Sequence, residues 1–171
     1  MSSVEQAVAQ CRHLLTIAHG LTADLEDAHL AVQVAPGGKT AGWILGHLAV
    51  TGDFGLRLCG QAPRCPREWR PLYNPGSQPS PDASAYATMG TLRHTVRDVY
   101  TQLIATAPDA DALTAENPLA WARVAFPTAG GFLVWILSGH LGYHLGQLSG
   151  WREAVGLGNP APGAATGVGG R

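Results

Sequence analysis

The sequence predicts an all-α fold, a four-helix bundle, and three observations carry that prediction. Four segments place apolar residues at three- and four-residue spacing, the pattern of a helix with one buried face. The stretches between them are rich in proline and glycine, which end helices. The chain has 171 residues, 46% of them hydrophobic, enough to bury one continuous core of four helices. Residues 1–157 are therefore assigned to a single bundle domain.

In residues 4–25, Val4, Ala7, Cys11, Leu14, Ala18, Leu21 and Leu25 share one stripe, as expected of an amphipathic helix packed on one side. Pro36-Gly37-Gly38 breaks the chain before a second helix over 40–58, whose inward stripe reads Thr40, Trp43, Ile44, His47, Thr51, Phe54 and Leu58. A third helix over 85–107 aligns Met89, Leu92, Val96, Val99 and Leu103, and Pro108 ends it. A short helical turn follows at 110–115. The fourth helix, over 128–155, carries Leu133, Leu137, His140, His144, Gln147 and Trp151 on one face. The tail, 158–171, is mostly Gly, Ala and Pro and reads as disordered.

Two features ask for a reason. Residues 60–84, with six prolines at positions 63, 66, 71, 75, 79 and 81, form an unusually long connection. About 25 extended residues reach about 80 Å against the roughly 30 Å length of such a helix, so the connection can run the bundle's full height and leave helices two and three parallel. It can also cover a pocket mouth with Trp69 and Tyr73, and the two readings are compatible. The second feature is Gly139, Gly142, Gly146 and Gly150, a stripe roughly a third of a turn from the histidine face. Each glycine costs about 1 kcal/mol relative to alanine, so a close partner is expected there: the first helix, the third, or a second subunit.

Composition narrows the function. A formal charge of −1 gives no general attraction to nucleic acid or to an anionic membrane. No Lys, Arg, Asp or Glu occurs from Val124 to Trp151, but the histidines, Gln147 and glycines there read as a buried bundle helix rather than a membrane span. Cys11, Cys59 and Cys65 lack zinc-ribbon spacing and read as free thiols. With no signal-like start, the expected compartment is the cytoplasm. No nucleophile elbow, phosphate loop or dinucleotide fingerprint appears. The inward stripes carry no Glu-x-x-His pair for a di-iron site, and Asp53 falls on the far side of its helix from His47. Arg64, Arg67 and Arg70 read as solvated, with an anionic substrate group as the sharper alternative.

His140 and His144 are one helical turn apart, and His47 sits alone on another apolar stripe. Positions i and i+4 lie about 6 Å apart on one face, so both rings can reach one point. If the helices pack, His47, His140 and His144 can share a divalent ion; hydrogen-bonded core histidines are the other reading of the same spacing. Zinc, nickel and related ions accept neutral imidazole. Three protein ligands leave a position for water or substrate. Gln147, one turn past His144, and Thr51 on the second helix are candidate acceptors for the outer N–H of a bound ring. Trp43 and Trp151 lie on the same stripes and are pocket candidates. His13, His19, His29 and His94 fall off the apolar stripes and are expected on the surface.

Trp43-Ile44-Leu45-Gly46-His47-Leu48, Thr51-Gly52-Asp53, Asn74-Pro75-Gly76-Ser77 and the closing run from Gly139 to Arg152 resemble the DinB-like superfamily over most of residues 10–157. The closing run is the most specific part. The resemblance implies an up-down-down-up bundle with a long crossover between helices two and three. It also implies a divalent metal on His47, His140 and His144, and frequent homodimers. For activity it implies two broad possibilities. One is a thiol-dependent transferase or isomerase using a low-molecular-weight thiol as cosubstrate; the other is a metal-dependent hydrolase of a small molecule. A non-catalytic bundle that binds a small ligand or dimerises, with a structural metal or none, is the alternative.

Overall fold

The computed structural model describes residues 1–160, and these are helical without a β-strand. The elements are α1 (Ser3–Thr22), α2 (Ala41–Leu58), the short α3 (Trp69–Tyr73), α4 (Met89–Thr106), α5 (Ala129–Trp135) and α6 (Leu141–Ala154). Hydroxyl side chains set the starts: Ser2 accepts from Glu5 N in a capping box, and Thr40, Thr88 and Thr128 cap α2, α4 and α5. α1 ends at Thr22, short of the expected 25. Its last carbonyls are taken by two arginines, Arg152 donating to Leu21 O and Arg93 to Thr22 O and Ala23 O.

Residue contacts give the chain directions. Down α2, Gly42 lies against Tyr86, Gly52 against Val99 and Tyr100, and Gly55 against Leu103, so α2 and α4 run parallel, as the long crossover allows. α1 and α6 are also parallel, with Leu14 near Gly142 and Asp24 bound to Arg152. α2 opposes the fourth-helix segment, with His47 beside His140 and Gly55 near Leu133. The order is up-down-down-up, and α2 lies at the centre. Every residue from Ala41 to Val50 is buried, where one inward stripe was expected. Glycines make this possible. A methyl on Gly46 would stand 2.3 Å from the Tyr73 ring, and one on Gly52 2.7 Å from Val99.

Three elements differ from expectation. The crossover is not structureless, because α3 folds within it and buries Trp69 and Tyr73 against the bundle. The region 83–85 is a separate turn, so α4 begins only at Met89 behind its Thr88 cap. The fourth helix is not continuous α, because a π turn over Ile136–His140 joins α5 to α6, with the Ser138 hydroxyl donating to Val134 O. The expected turn near 110–115 is the 3-10 turn Asp111–Thr114.

The glycine stripe is not filled as expected. Gly142 touches Leu14 of α1 and Gly139 lies under the Trp135 ring, but nothing among the described residues comes within 4 Å of a methyl at Gly146 or Gly150. Of the tail expected from Gly158 onward, Gly158 accepts from Arg152 and Asn159 donates to Glu153; residues 161–171 lie outside the described part. No helix among the described residues is long and apolar enough to cross a membrane.

Candidate metal centre

α2 carries His47, the π turn ends on His140, and the first turn of α6 carries His144. Their candidate donor nitrogens all lie within 4.8 Å of one another. His47 and His144 are buried and His140 is nearly so. The backbone fixes the tautomer of His47. Its Nδ1 is 2.6 Å from Tyr73 O, a carbonyl that can only accept, so the proton is on Nδ1 and the lone pair on Nε2. His144 repeats the arrangement, its Nδ1 donating to Gln147 Oε1 at 2.8 Å. Tyr143 OH then accepts from Gln147 Nε2 and holds the amide in that orientation.

The bare Nε2 of His47 faces Nε2 of His140 at 3.1 Å. Two ligands at about 2.0–2.1 Å from one ion stand about 2.9 Å apart at a right angle and about 3.4 Å at a tetrahedral angle. The observed spacing fits two ligands of one ion, and it equally fits an N–H of His140 Nε2 donated to the bare Nε2 of His47. The other nitrogen of the His140 ring, Nδ1, is buried without a hydrogen-bond partner among the described residues. Burial keeps all three rings neutral. It pulls His140 down to about 3, helped by repulsion from His144 and His47. It pulls His144 down to about 4, against the opposing pull of its Gln147 bond. It lowers His47 as well, partly offset by the bond to Tyr73. Neutral imidazole is the form that binds a metal, so the three residues can hold one.

Trp43 lies one turn before His47 and stacks on it, with ring centroids 4.6 Å apart and planes 10° from parallel. Its indole N–H donates to Ser77 Oγ in the crossover. Trp135 stands edge-on to His140 and stacks on Phe126. Thr51 is half-buried and makes no hydrogen bond to the three imidazoles among the described residues. Trp151 is not at the cluster. Its indole donates to Val32 O and its ring meets His29, while Arg152 beside it forms a two-pronged pair with Asp24. Asp53 is turned away, accepting from the backbone N–H groups of Arg64 and Cys65. Arg64 itself pairs with Asp98.

His13, His19 and His94 are exposed, as expected, whereas His29 is half-buried and accepts from Glu26 N. The three cysteines are free, and burial pushes each thiol up, Cys11 and Cys65 to about 12 and Cys59 to about 11. A groove of about 640 Å³ between α1 and α4, lined by His19, Arg93 and Arg97, contains none of the three histidines.

Sequence reasoning placed Tyr73 at a pocket mouth but missed that its carbonyl orients His47, and it missed Tyr143, which orients Gln147. It also missed Lys39, the chain's only lysine. Its ammonium sits 3.5 Å above the centre of the Trp43 ring and donates to Ser77 O. The signal for it was present: Lys39, Trp43 and His47 follow one another at four-residue spacing.

No curated protein matches the chain. The family profile described as the DinB superfamily matches residues 10–148, a span holding all three histidines, the crossover and both glutamine and tyrosine partners. The all-helical bundle and the histidine cluster agree with that match, and the chain belongs to the DinB superfamily.

Proposed function

We propose that this protein is a divalent-metal-dependent enzyme acting on a small molecule in the cytoplasm, as a thiol S-transferase or a hydrolase, with zinc or nickel on His47, His140 and His144. The observation that carries the reading is the ligand set. Three neutral imidazoles converge, and no carboxylate or thiol among the described residues completes the set. An ion so held keeps its full charge and an open position, and supplies Lewis acidity toward water or a low-molecular-weight thiol. The protein's part is to keep the rings deprotonated by burial and to aim two of them through Tyr73 O and Gln147. Trp43 and Trp135 wall the cluster with aromatic surface.

The test is to load the full chain with zinc or nickel and assay two reactions, loss of a small thiol in the presence of an alkylating electrophile and hydrolysis of ester and amide substrates. Turnover that disappears in His47→Ala supports the reading. A metal-loaded chain inert in both assays favours the ligand-binding alternative. We also propose a homodimer through the face of Gly146 and Gly150, where two helical glycines have no neighbour among the described residues to offset their cost. Sedimentation is expected to give a dimer that Gly146→Leu breaks; a wild-type monomer overturns it.

A further inference from the structure

Charge at the histidine cluster is one-sided. All three ligands are neutral, so a divalent ion there would not be neutralised by the protein. The charge that the chain places against the Trp43 ring is also positive. Lys39, two residues before α2, is one aromatic ring away from His47, its ammonium lying over the Trp43 ring that stacks on His47. Among the described residues Lys39 has no carboxylate partner; its one hydrogen bond is to Ser77 O. Asp53, the buried carboxylate of α2, is committed to the backbone of Arg64 and Cys65. The ammonium is half-buried, and partial loss of water already pulls its pKa down. A partly desolvated cation held against an aromatic face, with donors to spare and no carboxylate partner among the described residues, is a recognition point for an anion.

We infer that Lys39 binds a carboxylate of the substrate or cosubstrate, so that the molecule reacting at the histidine cluster is an acid. A single ammonium presents one point charge, which matches a carboxylate better than a doubly charged phosphate that recruits several donors. Trp43 and Ser77 position the ammonium: the ring supports it from below and the Ser77 carbonyl tethers it to the crossover. This inference rests on the proposed metal-dependent function and names the class of ligand that site takes.

The experiment uses the nickel-loaded full chain and two thiols of similar size, 3-mercaptopropionate and the uncharged 2-mercaptoethanol. Binding is read from the thiolate-to-nickel absorption band. The wild type is expected to bind the acid about 10- to 100-fold more tightly, the range of a hydrogen bond to a charged group. Lys39→Met should erase that preference and leave 2-mercaptoethanol binding unchanged, and Lys39→Arg should keep the preference. A preference that survives Lys39→Met, or is missing from the wild type, overturns the role of Lys39 and leaves the metal reading standing. Loss of both thiols in Lys39→Met assigns the residue a purely structural role and overturns the inference too. Absence of the band for both thiols in the wild type overturns the thiol-activating reading of the site and this inference with it.

Discussion

Gly46→Ala adds one methyl group at the residue before His47, and the structure says where it goes. An ideal Cβ there stands 2.3 Å from Cδ1 and Cε1 of Tyr73 and 2.6 Å from Cγ. Ordinary carbon contacts are about 3.5–4.0 Å, so the ring must retreat by roughly 1.2 Å or more. Tyr73 is fully buried, and its own carbonyl holds His47 Nδ1. Moving the ring therefore strains the core and loosens the bond that orients the ligand. Overpacking of this kind costs about 1–3 kcal/mol, and alanine returns about 1 kcal/mol of helix propensity. The net expectation is a loss of up to about 2 kcal/mol, or up to about 4–8 °C in Tm for a domain of this size. Metal affinity should fall about 10- to 100-fold, as when an outer partner of a ligand is lost. Thermal melts and a competition titration with a zinc chelator read the two effects. Gly90→Ala is the control, since a methyl on Gly90 meets nothing within 4 Å and should not destabilise. A Gly46→Ala chain with wild-type Tm and wild-type zinc affinity would refute the reasoning.

Other perturbations separate the site from its scaffold. Gln147→Leu removes the acceptor of His144 Nδ1 and should cost about 10- to 100-fold in zinc affinity with helical circular dichroism unchanged; full affinity would remove Gln147 from the site. Arg152→Met breaks the pair with Asp24 and the bonds to Leu21 O and Gly158 O, and should destabilise by about 2–3 kcal/mol in urea titrations while zinc still binds. In the metal-free chain, His140 and His144 are held near 3 and 4, below the roughly 6.5 of an unfolded chain. From about pH 6.5 down to about pH 4 the unfolded state takes up protons that the folded state refuses, so stability falls as pH falls. The slope is about 1.4 kcal/mol per pH unit for each histidine and ends below the folded values. The double variant His140→Gln, His144→Gln should lack this slope, and equal slopes in both chains would contradict the burial account.

Much of the scaffold is readable from local chemistry. The periodic stripes locate α1, α2 and α4 to within a few residues, and Thr40, Thr88 and Thr128 are helix-start signals of ordinary kind. The histidine set is readable because unpartnered imidazoles on apolar stripes are costly. What escaped depends on contacts distant in sequence. The glycines of α2 look like weak points in a helix until Tyr73, Val99 and Leu103 are seen against them, whereas among the described residues the more conspicuous stripe on α6 meets only Leu14. The π turn at Ile136–His140 is a backbone choice with no periodicity of its own over so few residues. Trp151 shares a stripe with the ligands yet lies beyond the cluster toward α1, because two further turns along α6 carry it about 10 Å past His144. Lys39 escaped because helix periodicity was read only from the first capped residue, and its ladder with Trp43 and His47 starts one residue before that cap.

The central claim is that His47, His140 and His144 hold one ion together. Metal analysis by mass spectrometry, after zinc or nickel loading and exhaustive dialysis, tests it most directly on the wild type and His47→Ala. The account expects about one ion per wild-type chain and none retained by the variant, because two imidazoles on one helical turn make a weak site without the third. A wild-type chain that retains no ion, or a His47→Ala chain that retains a full equivalent, would contradict it.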